Sequence, residues 1–114
     1  MKLARLSLRI DFPNGTRFGP GKAALLTALH ESGSIRAAAT QLGMSYPRAL
    51  KLIEQMNSSF QAPLVTTQHG GAEGGGTHVT ELGQDVLQLY GSICEASEQA
   101  SADNFQSLLK HIRE

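Results

Sequence analysis

The side chains best suited to bind a polyanion lie in one stretch, residues 33–57, which reads GSIRAAATQLGMSYPRALKLIEQMN. Arginine pairs bidentately with guanine O6 and N7, whereas lysine and arginine also hold backbone phosphates. We therefore predict that Arg48 reads a base and that Arg36 and Lys51 hold phosphates. A tyrosine ring can stack, and a serine hydroxyl can donate to a phosphate. The predicted DNA-binding residues of this stretch are Arg36, Ser45, Tyr46, Pro47, Arg48 and Lys51.

Two short helices must position these side chains. Ser34 can cap the first helix, and Gly43 follows its last apolar position, where a helix commonly ends. Ser45 can cap the second helix, with Pro47 in the first turn, where the missing N–H costs nothing. Two helices joined by a short glycine-containing turn are typical of a helix-turn-helix, whose second helix enters the major groove. The alternative is a helical hairpin inside another α-rich core.

Length and composition are those of one ordinary globular domain. The chain has 114 residues, of which 40% are hydrophobic and 18% charged. A single cysteine, Cys94, excludes an internal disulfide and a cysteine-rich zinc site. No apolar run approaches the roughly 18 residues of a membrane span, and residues 1–12 alternate rather than forming a signal peptide. We expect a cytoplasmic protein with no membrane partner.

The charges are segregated along the chain, although the net charge is zero. Residues 1–52 contain eight basic and two acidic side chains, hence +6, and residues 53–114 contain two basic and eight acidic ones, hence −6. This asymmetry favours one surface that faces a polyanion and another that does not. The alternative is a set of solvated charges that segregate by chance.

A strand and a helix are predicted before the helix-turn-helix. Residues 5–12 alternate apolar and polar side chains, which predicts a half-buried strand that pairs with a later segment. The turn sequence Pro-Asn-Gly at 13–15 ends it. Apolar spacing then predicts a first helix over residues 22–31, ended near Gly33.

A glycine-rich hairpin is predicted after the helix-turn-helix. Residues 63–68 read as a strand, and residues 79–80 close a short returning strand. A hairpin in this position is typical of a winged helix, and its glycines allow close approach to phosphates. The alternative is a mobile tip without a dedicated contact. His69 and His78 flank the tip, but a metal site needs a further ligand, so no metal is predicted. The predicted wing contacts are Gly74, Gly75, Gly76 and Thr77.

A long helix is predicted from Thr80, its N-cap, to the end of the chain. Six apolar residues follow at alternating spacings of four and three, which is a heptad seam typical of dimerisation. The alternative is packing of the same face on the domain's own core. A kink, or a short separate helix that folds back, is expected near 101–104, where a second apolar stripe, residues 105–112, begins. The predicted dimerisation residues are Leu82, Val86, Leu89, Ile93, Ala96 and Ala100.

These segments resemble the DNA-binding domain of ModE-type molybdate-responsive regulators, which are related to the N-terminal domain of LysR-type regulators. The resemblance covers about residues 18–90 and is carried by 33–57, by PLVTTQHGGAEGGGTHVTELG and by LQLY. It implies a dimeric winged-helix transcription regulator. In the full-length family, molybdate binds in C-terminal β-rich domains. This sequence ends after the long helix, so the resemblance carries DNA binding and dimerisation rather than oxyanion sensing. Pro47 departs from the family pattern, which usually has a polar or basic residue at this position near the start of the recognition helix.

The sequence thus predicts a mostly α, α+β fold. Residues 1–80 form a winged helix-turn-helix, and residues 81–114 form a dimerisation helix. The predicted function is a homodimeric regulator that binds double-stranded DNA, with nucleoid-associated use in a bacterium. The alternatives are a protein-interaction module and an architectural DNA-coating module. No catalytic arrangement and no cofactor are predicted, and the residues do not identify an effector.

Overall fold

The computed structural model of the protein describes residues 4–68 and 76–113. Its elements follow one another as two short strands, three helices, a two-stranded wing and a long helix. They are β1 (Ile10–Asp11), β2 (Arg17–Phe18), α1 (Pro20–Ser32), α2 (Ile35–Leu42), α3 (Tyr46–Ser59), β3 (Val65–Gln68), β4 (Gly76–Val79) and α4 (Glu81–Leu109). This is the predicted α+β winged helix followed by a long helix.

The first strand is shorter than predicted. Only Ile10 and Asp11 form a strand. Their partners, Phe18 and Arg17, lie in a later segment, as predicted, directly across the turn. The predicted alternation is nevertheless present, since Leu6 and Leu8 are half-buried and their neighbours are exposed. Alternation reports which side of an extended segment is covered, whereas a strand also requires a backbone partner. Residues 4–9 therefore extend without pairing.

The helix boundaries follow local capping chemistry. The side chains of Ser34 and Ser45 accept hydrogen bonds from Ala37 N and Arg48 N, as N-caps do. Gly33 and Gly43 end α1 and α2 with φ of 67° and 68°, a left-handed conformation that favours glycine. The predicted caps and stops of the helix-turn-helix are thus confirmed. The first helix begins at Pro20, two residues before its predicted start.

The core lies between the three short helices, the wing and the start of α4. Three aromatic rings connect these parts edge to face: Phe18 lies 5.1 Å from Tyr90 and 6.5 Å from Phe60, centroid to centroid. Such pairs stabilise by about 0.5–1.5 kcal/mol beyond their burial. The largest fully buried side chains are Phe18, Leu25, Leu26, Leu29, Met56 and Leu64.

The wing is an antiparallel pair that docks on both the helix-turn-helix and the long helix. Val65 pairs with Val79, and Gln68 pairs with Gly76. Thr80 N–H donates to Leu64 O at 2.9 Å, and the Thr80 hydroxyl caps α4 by accepting from Gly83 N at 3.0 Å. The returning strand therefore ends at Val79, and Thr80 belongs to the helix as its predicted cap.

The long helix is continuous from Glu81 to Leu109. It runs unbroken through residues 101–104, where a kink or a separate helix was expected, so the second apolar stripe belongs to the same helix. Ser101 Oγ donates to Ser97 O at 2.7 Å, which satisfies the hydroxyl within the helix. Its first turns pack into the core, and its remainder contributes to the elongated shape of 58 × 32 × 21 Å.

Candidate nucleic-acid interface

The N-terminal end of α3 presents the predicted base-reading and phosphate-binding side chains to solvent. Ser45 Oγ accepts from Arg48 N at 3.2 Å, and Pro47 occupies the first turn, where it removes no helical hydrogen bond. Tyr46, Pro47, Arg48 and Lys51 are all exposed. The structure therefore brings these residues together on one accessible helix end, as a helix entering a groove requires.

The buried face of α3 sets this orientation. Ala49, Ile53 and Met56 are 0–6% exposed and recur at helical spacing, so they anchor one side of the helix in the core. Arg48 and Lys51 necessarily lie on another side. Among residues 4–68 and 76–113, the single ion pair joins Arg9 to Asp11. No carboxylate in the described chain is therefore paired with the cations of α3.

The first turn of α2 adds another cation beside this helix end. The Arg36 guanidinium carbon lies 5.4 Å from the centroid of the Tyr46 ring, within cation–π range. Both side chains line a cleft of about 250 Å³ between the helix-turn-helix and the wing strands. Thr67, Gln68 and Gly76 line the wing side of this cleft. The fold thus brings predicted contacts from three separate segments to one place.

Two predicted wing contacts lie within the described chain. Thr77 is 7% exposed, and its N–H donates to Gly33 O at 3.0 Å. Its side chain therefore faces the protein, and Thr77 attaches the wing to the end of α1. Gly76 is half-buried on the cleft. Gly74 and Gly75, like His69, lie outside the described residues.

Two residues that position the wing were not singled out from the sequence. The Asn57 side-chain oxygen accepts from Leu64 N and Val65 N, and its amide donates to Val65 O at 2.9 Å, so it joins the end of α3 to β3. Gly83 lies where α4 crosses the wing, and a Cβ there would lie 2.8 Å from Val79 Cγ1. The sequence offered a signal for Asn57, because a polar side chain near the end of a helix often binds backbone groups. It offered no signal for Gly83, because the close approach of α4 to the wing is not visible in the neighbouring residues.

Not all basic side chains of the first half face the candidate interface. Lys22 is buried and donates to Arg17 O at 2.7 Å. Burial lowers the pKa of Lys22, and the charge of Arg17 lowers it further. Arg9 forms an ion pair with Asp11 of β1, at 2.9 Å. The charge segregation along the sequence therefore becomes only a partial segregation in space.

The predicted dimerisation seam divides into two parts. Leu82 and Val86 are half-buried and pack against the domain's own core. For these two residues the alternative interpretation, intramolecular packing of the seam, describes the structure. Leu89 and Ile93 are 63% and 45% exposed and border an apolar groove with Phe12 and other side chains of that core. The exposed part of the predicted seam is Leu89, Ile93, Ala96 and Ala100.

The start of the chain extends along the other side of the same helix. Tyr90 Oη donates to Leu8 O at 2.6 Å, and a cavity of about 270 Å³ separates residues 4–6 from Ser101 and Phe105. Burial raises the pKa of Tyr90 to about 12, and the neighbouring Cys94 thiol contributes to that rise. Cys94 itself is half-buried rather than buried.

The described residues contain neither a metal-ion cluster nor a membrane-spanning helix. Within residues 4–68 and 76–113, no group of three His, Cys, Asp or Glu side chains could hold a metal ion. No helix in the same residues is both long and apolar enough to cross a membrane.

Comparisons with known proteins agree with this geometry. Residues 22–84 match the model of the bacterial regulatory helix-turn-helix proteins of the lysR family. The fold resembles the crystal structure of the CbnR_DBD–DNA complex, with a TM-score of 0.59 at 19% identity, over 77% of this chain and 95% of that one. At this identity the likeness concerns the fold alone.

Several curated relatives match most of this chain. The molybdenum-pterin-binding protein MopB of Rhodobacter capsulatus is 39% identical over 83% of this chain and 35% of its own length. The molybdenum transport protein ModE of Azotobacter vinelandii is 34% identical over 96% of this chain and 40% of its own. The DNA-binding transcriptional dual regulator ModE of Escherichia coli K12 is 36% identical over 71% and 31%.

This chain therefore spans between 31% and 40% of the length of these three relatives. The family model, in contrast, covers more than half of the chain, including both helices of the helix-turn-helix and both strands of the wing. The chain belongs to the bacterial regulatory helix-turn-helix proteins of the lysR family, as a ModE-type DNA-binding domain.

Proposed function

We propose that the protein is a transcription regulator that binds a specific DNA sequence as a homodimer. One observation carries the proposal: the capped N-terminal end of α3 presents Tyr46, Arg48 and Lys51 to solvent, and Tyr46 lines the cleft next to the wing. A recognition helix contacts base edges with this end. The absence of an ion pair to these cations within the described residues supports a polyanion as the partner.

Each side chain has a distinct role in the proposal. Arg48 reads a guanine, because its guanidinium can donate two parallel hydrogen bonds to O6 and N7. Lys51 and Arg36 hold phosphates, as does the Ser45 hydroxyl, which can still donate while its oxygen caps the helix. The wing segment Gly74 to Thr77 approaches the DNA backbone, with Thr77 acting through the attachment of the wing rather than through its buried side chain.

The homodimer is proposed from the exposed part of the seam. Leu89 and Ile93 expose large apolar side chains beside an apolar groove, and a second copy could cover both. Two recognition helices related by a two-fold axis would read a near-palindromic site, with half-sites about 34 Å apart. The molybdenum-related activities named for the relatives are outside this proposal, because the match covers less than half of those proteins.

Selection of bound duplexes from a random pool tests this function. The purified protein is incubated with the pool at low and at moderate salt, and the bound fraction is sequenced. We expect enrichment of a near-palindrome whose half-sites are one helical turn apart. Salt-sensitive binding without enrichment would replace the proposal with an architectural DNA-coating role, and absence of binding at low salt would replace it with a protein-interaction module.

The role of Arg48 is tested on the selected site and on single-base variants of it. Arg48→Ala should weaken binding to the selected site by about 1–3 kcal/mol and relax the preference at one position of each half-site. Lys51→Ala is the matched control, because loss of a phosphate contact weakens all sequences alike. An equal loss on every sequence for Arg48→Ala would show that Arg48 does not read a base.

A further inference from the structure

A cation–π pair, Arg36 and Tyr46, joins the two helices of the helix-turn-helix at their exposed ends. Arg36 lies in the first turn of α2, and Tyr46 is the first residue of α3. The guanidinium carbon lies 5.4 Å from the ring centroid, and the ring remains 41% exposed. An arginine on an open surface samples many rotamers, and ordering it costs conformational entropy. A ring face that already holds the guanidinium reduces this cost.

The surroundings of the pair suit an anionic ligand. The cleft beside it is bounded by the turn before α2 and by Thr67 and Gln68 of the wing. Within residues 4–68 and 76–113, the guanidinium of Arg36 lies within 4.0 Å of no carboxylate, so no partner in this part of the chain neutralises it. The guanidinium has five N–H donors, so it can lie over the Tyr46 ring and still donate to a phosphate.

We infer that Tyr46 is a positioning residue, whose ring holds the Arg36 guanidinium in place for a DNA backbone phosphate between the recognition helix and the wing. The inference rests on the proposed DNA binding and assigns Tyr46 a role through Arg36 rather than through its own contact with DNA. The ring is the required feature, and the hydroxyl is not.

A double-mutant cycle on a selected duplex tests this coupling. The variants are Arg36→Ala, Tyr46→Leu, the double variant and the conservative Tyr46→Phe, with affinity measured by fluorescence anisotropy. Tyr46→Leu should weaken each half-site by about two- to five-fold, the range expected for an exposed cation–π pair. In the Arg36→Ala background the same change should have little effect, because the guanidinium is already absent. Tyr46→Phe should recover most of the loss.

Salt dependence identifies the ligand as a phosphate. Arg36→Ala should reduce the slope of log K against log salt by about 0.9 per protomer, as loss of one phosphate contact does. An Arg36→Ala variant that weakens binding without changing this slope would show that Arg36 does not bind a phosphate, which overturns the inference.

A readout in the free protein tests the pair without DNA. Protons that lie over an aromatic ring resonate upfield, so the δ-protons of Arg36 should be shifted upfield in the wild type and in Tyr46→Phe. In Tyr46→Leu they should return to ordinary positions. Unshifted Arg36 resonances in the wild type would show that the pair does not persist in solution and would overturn the inference.

The two hypotheses fail in different ways. Wild-type protein that binds DNA while the cycle is additive, or while Tyr46→Phe loses as much as Tyr46→Leu, overturns the positioning role alone. Wild-type protein that does not bind DNA at low salt overturns the proposed function, and the phosphate-directed role of the pair with it.

Discussion

Two glycines in α4, Gly83 and Gly91, differ in whether their surroundings leave room for a side chain. A Cβ at position 83 would lie against Leu64 O and 2.8 Å from Val79 Cγ1, whereas a Cβ at position 91 would meet nothing within 4 Å. Gly83 is thus the point at which the helix crosses the wing closely. Gly91 makes no such contact and only lowers the intrinsic stability of the helix.

This contrast predicts opposite changes in stability. Gly83→Ala should lower the free energy of unfolding by about 1–3 kcal/mol, because the backbone of Leu64 must move. Gly91→Ala, its matched control, should raise that free energy by up to about 1 kcal/mol through helix propensity. Urea unfolding followed by circular dichroism measures both. A shift of both midpoints in the same direction would contradict the close crossing at Gly83.

Tyr90 couples the start of the chain to α4 through its hydroxyl, and this coupling should depend on pH. Its pKa is raised to about 12 in the folded protein, against 10.0 in the unfolded chain. The protonated form is therefore favoured by folding, so its stabilisation is complete below about pH 10 and is lost as pH rises through about 12. The lowered pKa of Lys22 acts with the opposite sign, since folding then becomes more favourable as pH rises towards 10.5.

Tyr90→Phe separates the two contributions. It should cost about 1 kcal/mol near neutral pH, because Leu8 O loses its donor at 2.6 Å. Between about pH 10 and about 12, the stability difference between wild type and variant should shrink. Urea midpoints across this window measure the change, and Lys22 contributes equally to both proteins. A difference that stays constant with pH would show that Tyr90 does not titrate with a raised pKa.

At the scale of elements, α4 has one face for its own domain and another that its own domain leaves exposed. Tyr90 is buried and Cys94 is half-buried against the core, whereas Leu89 and Ile93, about one quarter-turn around the helix, are largely exposed. A single heptad pattern therefore contains both an intramolecular contact, at its start, and a candidate intermolecular contact further along. This division explains why the sequence fits both interpretations of the seam, dimerisation and packing on the domain's own core.

Leu89→Glu tests the candidate dimer contact. The variant should shift the protein from dimer to monomer in sedimentation velocity, because a charge would be buried where a second copy covers Leu89. Gln88→Glu is the matched control: it adds the same charge in the same turn on an exposed face, and it should remain dimeric. A dimeric Leu89→Glu variant would show that the interface lies elsewhere.

At the scale of the whole molecule, the charged side chains are partly segregated in space, although the net charge is zero. Three cations, Arg36, Arg48 and Lys51, lie exposed on the helix-turn-helix, and Lys22 is buried. Exposed carboxylates follow α4, at Glu95 and Glu98 among others. A molecule without net charge can therefore still have one surface that attracts a polyanion.

This arrangement predicts a steep salt dependence despite the zero net charge. With two phosphate-binding cations per protomer, Arg36 and Lys51, and two protomers per site, log K should fall with log salt with a slope of about −3.6. Anisotropy titrations at several salt concentrations measure the slope. A slope near zero would mean that the binding is not driven by phosphate contacts, and it would contradict the proposed interface as a whole.

Local chemistry already determined much of this protein. Ser34, Gly43, Ser45 and Thr80 act on backbone groups within a few residues of themselves, so the helix boundaries could be predicted from spacing and residue type. The periodicity of α3 likewise sufficed to place Arg48 on the exposed side, because burial of one helix face orients the other. The family resemblance is likewise carried by contiguous segments, residues 33–57 and the glycine-rich segment before the long helix among them.

Only the tertiary structure decided the contacts between distant segments. Residues 5–12 alternate like a strand, yet most of them find no backbone partner and extend along α4 instead. Thr77 reads as a wing contact, yet it is buried against Gly33. The cation–π contact between Arg36 and Tyr46 and the close crossing at Gly83 have no local signature in the sequence. Capping and periodicity act within a turn or two of the chain, whereas these contacts depend on how separate elements pack.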